Sequence, residues 1–267
     1  MTFPWREAPE AEFAVIGHPV NHTKSPRMHS AAYYALGLPY RYVAIDVPVG
    51  EVDVALEHLR SVGYRGVNVT VPHKEDALAW SVDVEPLAAR VRAANTIRLA
   101  DRACINTDAP GFLDTLEGFD LGPKRALLLG AGGSARALAV ALSGTGYELT
   151  LYNRTFDKAI QLAKELDLSE ESVLRSADPQ GASLILNTTS ASLNGAQLPI
   201  LWERAEPGAL AYDLMYAKEP TPFLACASEH GLQTMDGLKM LVAQGARSFE
   251  WWLGTAAPRE AMLEAIR

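Results

Sequence analysis

Two residues in the first half of the chain have side chains suited to moving a proton at an alcohol. Lys74 lies in GVNVTVPHKEDAL, Gly66 to Leu78, where a strand ends at Pro72 and a helix opens at the lysine. A lysine in a first helical turn opposes the helix dipole, so a purely solvated role is mildly unfavourable there. An ammonium beside an alcohol can hydrogen-bond it and exchange its proton, and a carboxylate partner tunes it. Asp108, in the run Asn106, Thr107, Asp108, is the natural partner. Upstream, the polar cluster His18, Asn21, His22, Thr23, Lys24, Ser25, Pro26 follows an apolar strand. Ser25 before Pro26 reads as an N-cap followed by a good first helical residue. That leaves Thr23 unexplained, and two hydroxyls spaced by one residue at a helix start suit a carboxylate equally well.

The second half carries a different chemistry. RALLLGAGGSARALAVAL, Arg125 to Leu142, is an apolar strand, a glycine turn and then a helix. Gly130 permits the tight turn, Gly132 lets the backbone approach a pyrophosphate, and Ala135 takes the third small position where helix packs on strand. Phosphates would rest on free amides at the helix N-terminus. Glycines alone would signal only a turn; the strand before and the helix after make the pattern a dinucleotide fingerprint. At the end of the next strand an NAD enzyme would place an acid on the ribose 2′-hydroxyl. Asn153, Arg154 and Thr155 stand there instead. A guanidinium can fork onto a 2′-phosphate, so NADP is expected over NAD. Thr155 also fits as a cap for the following helix.

These residues need an α/β frame. Strands are expected at Phe13 to Ile16, Tyr40 to Ile45, Val67 to Val71 and Thr96 to Leu99, with Glu51 to Arg60 the clearest helix between them. The rhythm continues with strand Ala126 to Leu129, helix Ser134 to Leu142, strand Leu149 to Tyr152, helix Phe156 to Leu166, and strands Leu184 to Leu186 and Leu210 to Leu214. Alternation of this kind implies mostly parallel sheets. Asp108 to Pro123 holds Pro110, Gly111, Gly118, Gly122 and Pro123, a breaker density expected of a hinge between two sheets. The first dozen residues read as a loose extension.

The chain has 267 residues, 48% of them hydrophobic, enough for two modest cores. A formal charge of -8 provides no basic field for nucleic acid or an anionic membrane surface. Cys104 and Cys226, the two cysteines, suit a reducing cytoplasm better than a disulfide framework. No apolar run approaches the roughly 18 residues of a membrane helix. His18, His22 and His29 lie close in sequence, but Pro19 prevents His18 and His22 from sharing a helical turn. No carboxylate cluster completes a metal site, and none is expected.

GHPVNHTKSPRMH from Gly17, NVTVPHKE from Asn68, AANT from Ala93, NTDAPGF from Asn106, GAGGSARA from Gly130, NRT from Asn153 and GLKMLVAQ from Gly237 together resemble the shikimate dehydrogenase family, in order and spacing over nearly the whole chain. The resemblance implies two α/β domains. Residues 1–107 with 237–267 would form a substrate-binding domain with a mostly parallel sheet, its C-terminal helices packing back. Residues 108–236 would form a Rossmann-like NADP-binding domain. It implies an oxidoreductase of the shikimate pathway, serving chorismate and aromatic amino-acid biosynthesis, that reversibly reduces 3-dehydroshikimate to shikimate in the cytoplasm as a monomer or homodimer. Carried over, Lys74 and Asp108 become the catalytic pair. Thr23 and Ser25 would hold the substrate carboxylate with Tyr216 closing over it, and Thr70, Asn95 and Gln244 would bind ring hydroxyls. Gly130, Ala131, Gly132 and Gly133 would face the pyrophosphate. Asn153, Arg154 and Thr155 would face the adenosine ribose phosphate, and Thr188, Met215 and Gly237 the nicotinamide end.

Four positions depart from the commonest family pattern: Thr23 for serine, His73 for an apolar residue, Ala109 for glycine and Ser192 for glycine. Two other readings remain open on sequence. One is a quinate/shikimate dehydrogenase that prefers NAD, against which Arg154 argues. The other is a non-catalytic NADP-binding sensor, which would have no need of Lys74 and Asp108.

Overall fold

The structure is a computed structural model that describes residues 1–267, the side chains of residues 193 and 194 excepted. It forms two compact units, Met1–Gly111 with Leu241–Arg267, and Phe112–Met240. Both divisions fall a few residues later than the 107/108 and 236/237 expected from sequence.

In the first unit the elements run β1 (Thr2–Pro4), β2 (Phe13–Gly17), α1 (Ser25–Ala35), β3 (Tyr42–Asp46), α2 (Val52–Ser61), β4 (Gly66–Val69), α3 (Lys74–Trp80), β5 (Asp83–Val84), α4 (Pro86–Val91), β6 (Thr96–Arg98) and β7 (Ala103–Ile105). Then α5 (Asp108–Leu116) leads out of it. Among the described residues the strands form one sheet in the order β1-β3-β2-β4-β6-β7-β5. The four strands β1, β3, β2 and β4 pair in parallel. Pairing turns antiparallel at β4–β6 and β6–β7, so this sheet is mixed. For β6–β7 the cause is local: residues 99–102 are a tight turn, and a tight turn can join only antiparallel neighbours. Ile16, Ile45, Leu56, Leu59, Val67, Val69 and Trp80 are buried in its core.

Two expectations for this unit need correction. The N-terminus is not loose: β1 adds to the sheet edge on β3, and Trp5 is buried in the core with Nε1 donating to Glu51 Oε2 at 2.6 Å. The stretch read as a hinge does hold the division between the units, but it is helical as far as Leu116. Pro110 falls in the first turn of α5, where a missing N–H costs no hydrogen bond. Gly111 is there because a helix backbone passes against it: a Cβ would lie 2.7 Å from Gln244 N and 2.9 Å from its Cα.

The second unit contains β8 (Arg125–Leu129), α6 (Gly133–Gly144), β9 (Glu148–Tyr152), α7 (Phe156–Glu165), β10 (Leu184–Asn187), β11 (Leu210–Asp213), α8 (Pro222–Glu229) and β12 (Gln233–Met235). Its sheet has the order β12-β11-β10-β8-β9, with every pairing parallel. Ala126 to Leu129 are all buried, the continuous apolar run that a strand covered on both faces requires. Leu127, Leu129, Ile185, Ala211, Trp202 and Phe223 share one core. After β12, α9 (Leu238–Leu253) carries the chain back into the first unit, which α10 (Arg259–Ile266) completes. Among the described residues no helix is long and apolar enough to cross a membrane.

Candidate active site

In a parallel sheet the loops at the carboxyl ends of the strands collect polar side chains. In the first unit β2, β3 and β4 are adjacent and parallel, so the segments after Gly17, Asp46 and Val69 emerge at the same end. They are tied there by His18 N donating to Val71 O at 3.1 Å, Thr70 N to Ile16 O at 2.9 Å, and His18 Nδ1 lying 3.0 Å from Asp46 Oδ2. Gly17 lets the two loops close, since a Cβ would lie 3.2 Å from Val71 O.

Lys74 opens α3 with no side chain capping it. Its carbonyl accepts from Ala94 N at 2.9 Å, which locks the start of α3 to the segment before β6. Its Nζ donates to Asp108 Oδ2 at 2.6 Å, and side-chain exposures of 22% and 14% leave the pair sheltered yet reachable. Asp108 opens α5, where the helix dipole favours a carboxylate. Asn106 supplies the cap, its Oδ1 accepting from Ala109 N at 3.2 Å.

Asn95 joins the pair from below. Its Nδ2 donates to Asp108 Oδ1 and to Thr107 Oγ1, both at 2.9 Å, with Gln244 Oε1 at 3.4 Å. Its Oδ1 accepts from Thr107 N at 2.8 Å, which fixes the amide so that the NH2 faces the carboxylate. Lys74, Asp108, Asn95 and Gln244 are therefore one hydrogen-bonded set. Thr23 and Ser25 form a second: Thr23 Oγ1 accepts from Ser25 N at 3.2 Å and donates to Ser25 Oγ at 3.1 Å. Ser25 is the first residue of α1 rather than its N-cap, so the capping expected of it falls to the Thr23 hydroxyl. Thr70 follows β4, where its carbonyl accepts from His73 N at 3.1 Å.

Beneath the set lies a layer that the sequence did not single out. Asn68 Nδ2 donates to Ser248 Oγ at 2.9 Å and Thr96 Oγ1 at 3.1 Å, those two hydroxyls are 2.7 Å apart, and Tyr42 OH donates to Asn68 Oδ1 at 2.7 Å. Burial holds the Tyr42 phenol well above its ordinary pKa, so it acts as a donor. The available signal was a run of polar residues inside strands, Asn68 in β4 and Thr96 in β6. Such residues persist in a core only when paired. His73 is buried too, its Nε2 lying 2.6 Å from Val47 O while its Nδ1 has no hydrogen-bond partner among the described residues.

In the second unit Gly130 has φ of 115°, a conformation that favours glycine, and a Cβ would collide with Thr188 Oγ1. Gly130 N donates to Tyr152 O at 2.8 Å and Thr188 Oγ1 to Leu129 O at 2.7 Å, so Thr188 and the end of β9 border the glycine turn. A Cβ on Gly132 or Gly133 would meet nothing within 4 Å. No side chain caps α6, whose first amides are thus open to an anion. Thr155 stands at the N-cap of α7 without making a side-chain cap, and Asn153 Nδ2 donates to Thr155 O at 2.7 Å. Arg154 is exposed.

At the ends of β10 and β11, Asn187 Nδ2 donates to Ser192 Oγ at 2.6 Å and Asp213 Oδ1 at 3.0 Å. Asp213 Oδ1 in turn accepts from Met215 N at 3.0 Å. The Ser192 hydroxyl thus has a partner that a glycine would lack. Met215 O accepts from Gly237 N at 3.2 Å, and a Cβ on Gly237 would collide with Leu214 O. Tyr216 follows, half-buried, its phenol pKa raised by that burial. No cluster of metal-ligating side chains occurs among the described residues.

The family model for the shikimate dehydrogenase substrate binding domain matches residues 15–97. That for shikimate / quinate 5-dehydrogenase matches 114–182, and that for the shikimate 5′-dehydrogenase C-terminal domain 237–267. A shikimate dehydrogenase (NADP(+)) from Moorella thermoacetica is 44% identical over 95% of this chain and 92% of its own length. The solved shikimate 5-dehydrogenase of Thermus thermophilus, in complex with NADP(H) and shikimate, superposes with a TM-score of 0.89 at 39% identity, covering 97% of this chain and 99% of that one. A ligand-free 5-ketofructose reductase from Gluconobacter reaches 0.85 at 30% identity over 97% and 98%. With several matched regions and relatives of this identity over nearly its full length, the chain belongs to the shikimate dehydrogenase family.

Proposed function

We propose that the protein is an NADP-dependent shikimate dehydrogenase of the cytoplasm, reversibly reducing 3-dehydroshikimate to shikimate. The observation that carries the proposal is the Lys74–Asp108 contact at 2.6 Å, set among hydroxyl-binding amides in a chain 44% identical to an enzyme of that name. A protein that only sensed the dinucleotide would have no use for a sheltered proton-handling pair beside Asn95 and Gln244.

The residues of the second unit fit the cofactor. Its pyrophosphate would rest on Gly130, Ala131, Gly132 and Gly133 and the open amides of α6. Its ribose phosphate would meet Asn153, Arg154 and Thr155, and its nicotinamide end Thr188, Met215 and Gly237. When bound, NADPH supplies the hydride and NADP+ accepts it. The substrate side rests on residues of the first unit, and Tyr216 is the further residue assigned to the substrate. Thr23 and Ser25 receive the ring carboxylate through hydroxyls already mutually oriented. Thr70, Asn95 and Gln244 take ring hydroxyls. The Thr23 methyl, absent from the serine usual there, narrows the carboxylate pocket.

In the reducing direction the ketone carbon gains a hydride while its oxygen gains a proton from the Lys74–Asp108 pair. In the oxidising direction the pair removes that proton. Asp108 accepts from Lys74 and Asn95 on separate oxygens, so it holds the ammonium still without blocking its remaining protons.

The test mixes the protein with shikimate or quinate and NADP or NAD while following reduced-cofactor absorbance. Shikimate with NADP is expected to give the highest kcat/KM. Faster turnover of quinate with NAD would assign the chain to the other branch of the family, and absence of turnover with every pair would make it a binder.

A further inference from the structure

The end of β9 carries more positive charge than its own loop supplies. Val173 forms a parallel bridge with Leu151, and Leu174 N donates to Leu151 O at 2.8 Å. The segment that follows the short turn at Glu170–Ser172 therefore runs beside β9, in the same direction, along the free edge of this sheet. Arg175 lies two residues past that bridge, at a bend in the chain. Its guanidinium carbon lies 4.2 Å from the ring centroid of Phe156, the first residue of α7. Stacking on an aromatic face fixes a planar guanidinium in place while leaving its edge N–H groups free to donate.

Arg154, Lys158 and Arg175 are thus gathered around one helix start, with Asp157 the acidic residue of that turn. Among the described residues none of the three cations makes an ion pair. Cations at the positive end of a helix dipole repel it and one another, an arrangement relieved when a dianion joins them. Resting on the reading of Arg154 given above, we infer that Arg175 is a specificity-determining residue for the cofactor. Its guanidinium, held on Phe156, donates to the 2′-phosphate from the outer edge of β9, so that NADP is gripped by two loops and NAD by neither.

The experiment measures dissociation constants for NADP and NAD by titration calorimetry on the intact wild-type chain, Arg175→Ala and Arg154→Ala. Losing one charge-assisted contact should weaken NADP about tenfold in Arg175→Ala. NAD should stay within about twofold of wild type, because the lost partner is a group NAD lacks. Phe156→Leu keeps an apolar helix start but removes the stacking face, and should weaken NADP in the same direction by a smaller factor. An unchanged NADP affinity in Arg175→Ala, or an equal loss for both dinucleotides, overturns the assignment. The Arg154→Ala result separates the two levels of argument. If it discriminates and Arg175→Ala does not, only the role of Arg175 fails; if neither discriminates, the 2′-phosphate reading itself falls.

Discussion

At the scale of single residues the site is a matter of donors assigned to acceptors. Asp108 accepts from Lys74 on Oδ2 and from Asn95 on Oδ1, so the three side chains hold one geometry before any substrate arrives. Lys74→Ala removes the group that exchanges the hydroxyl proton, and turnover should fall by roughly 10²- to 10⁴-fold. NADP affinity should stay near wild type, because Lys74 is assigned to the substrate and not to the dinucleotide; steady-state rates beside calorimetric affinities check both halves. Unchanged turnover would remove Lys74 from the mechanism. Asn95→Ala acts differently, because it strands Thr107 N and one oxygen of Asp108. Stranded buried groups cost about 1–3 kcal/mol. A lower unfolding midpoint in urea should therefore accompany a raised KM for shikimate, and a variant of normal stability with normal KM would show that the amide does neither job.

Elements decide whether those side chains meet, and here the sequence was unevenly informative. Gly130 and Lys74 were legible because a glycine turn between strand and helix, or a lysine opening a helix, is a local arrangement. Thr2–Pro4 was not, since its only strand-like credential is a partner 42 residues away in β3. The polar layer of Asn68, Thr96 and Ser248 was hidden for the same reason: each is justified by residues from other elements. The helix Asp108–Leu116 was not legible because Pro110 and Gly111 weigh as breakers, whereas position within α5 makes the first harmless and a neighbouring helix makes the second necessary. Gly111 lies one turn after Asp108 on α5 and directly against the backbone of Gln244 on α9. A methyl there cannot be relieved by rotating a side chain, so Gly111→Ala should push α5 and α9 apart. Overpacking of this kind costs about 1–3 kcal/mol, against a gain of at most about 1 kcal/mol from helix propensity. The expected result is a raised KM and lowered kcat for shikimate with NADP affinity unaltered. Gly66→Ala is the control: it crowds the Trp252 indole at the far end of β4, so it should lower stability while leaving KM alone. Equal KM values for the two variants would show that the crossing of α5 and α9 does not position the site.

For the molecule as a whole, the first unit is closed by the last segment of the chain. Lys24 Nζ donates to Ile266 O at 2.6 Å, and Trp252 stacks on Phe13 with centroids 4.8 Å apart. The aromatic mass assembled there has one titratable weakness. His29 is fully buried, stacked on Tyr42 at 4.2 Å with a 3° interplanar angle, and neither ring nitrogen has a hydrogen-bond partner among the described residues. Tyr33 and Trp252 are its other ring neighbours, and none of the three rings offers a carboxylate to welcome a proton. Desolvation lowers its pKa from 6.5 to about 3. The unfolded chain then binds a proton that the folded chain refuses, so stability is intact above about pH 6.5 and is lost as the pH falls from there toward about 3. Between pH 7 and pH 5 this one group should remove about 2 kcal/mol. His29→Phe keeps an aromatic ring to stack on Tyr42 and has nothing to protonate. Urea unfolding followed by tryptophan fluorescence at both pH values should show the wild type losing more stability on acidification than the variant, by about that amount. Equal losses would mean that His29 is protonated in place or already solvated, and that acid sensitivity resides in the carboxylates instead.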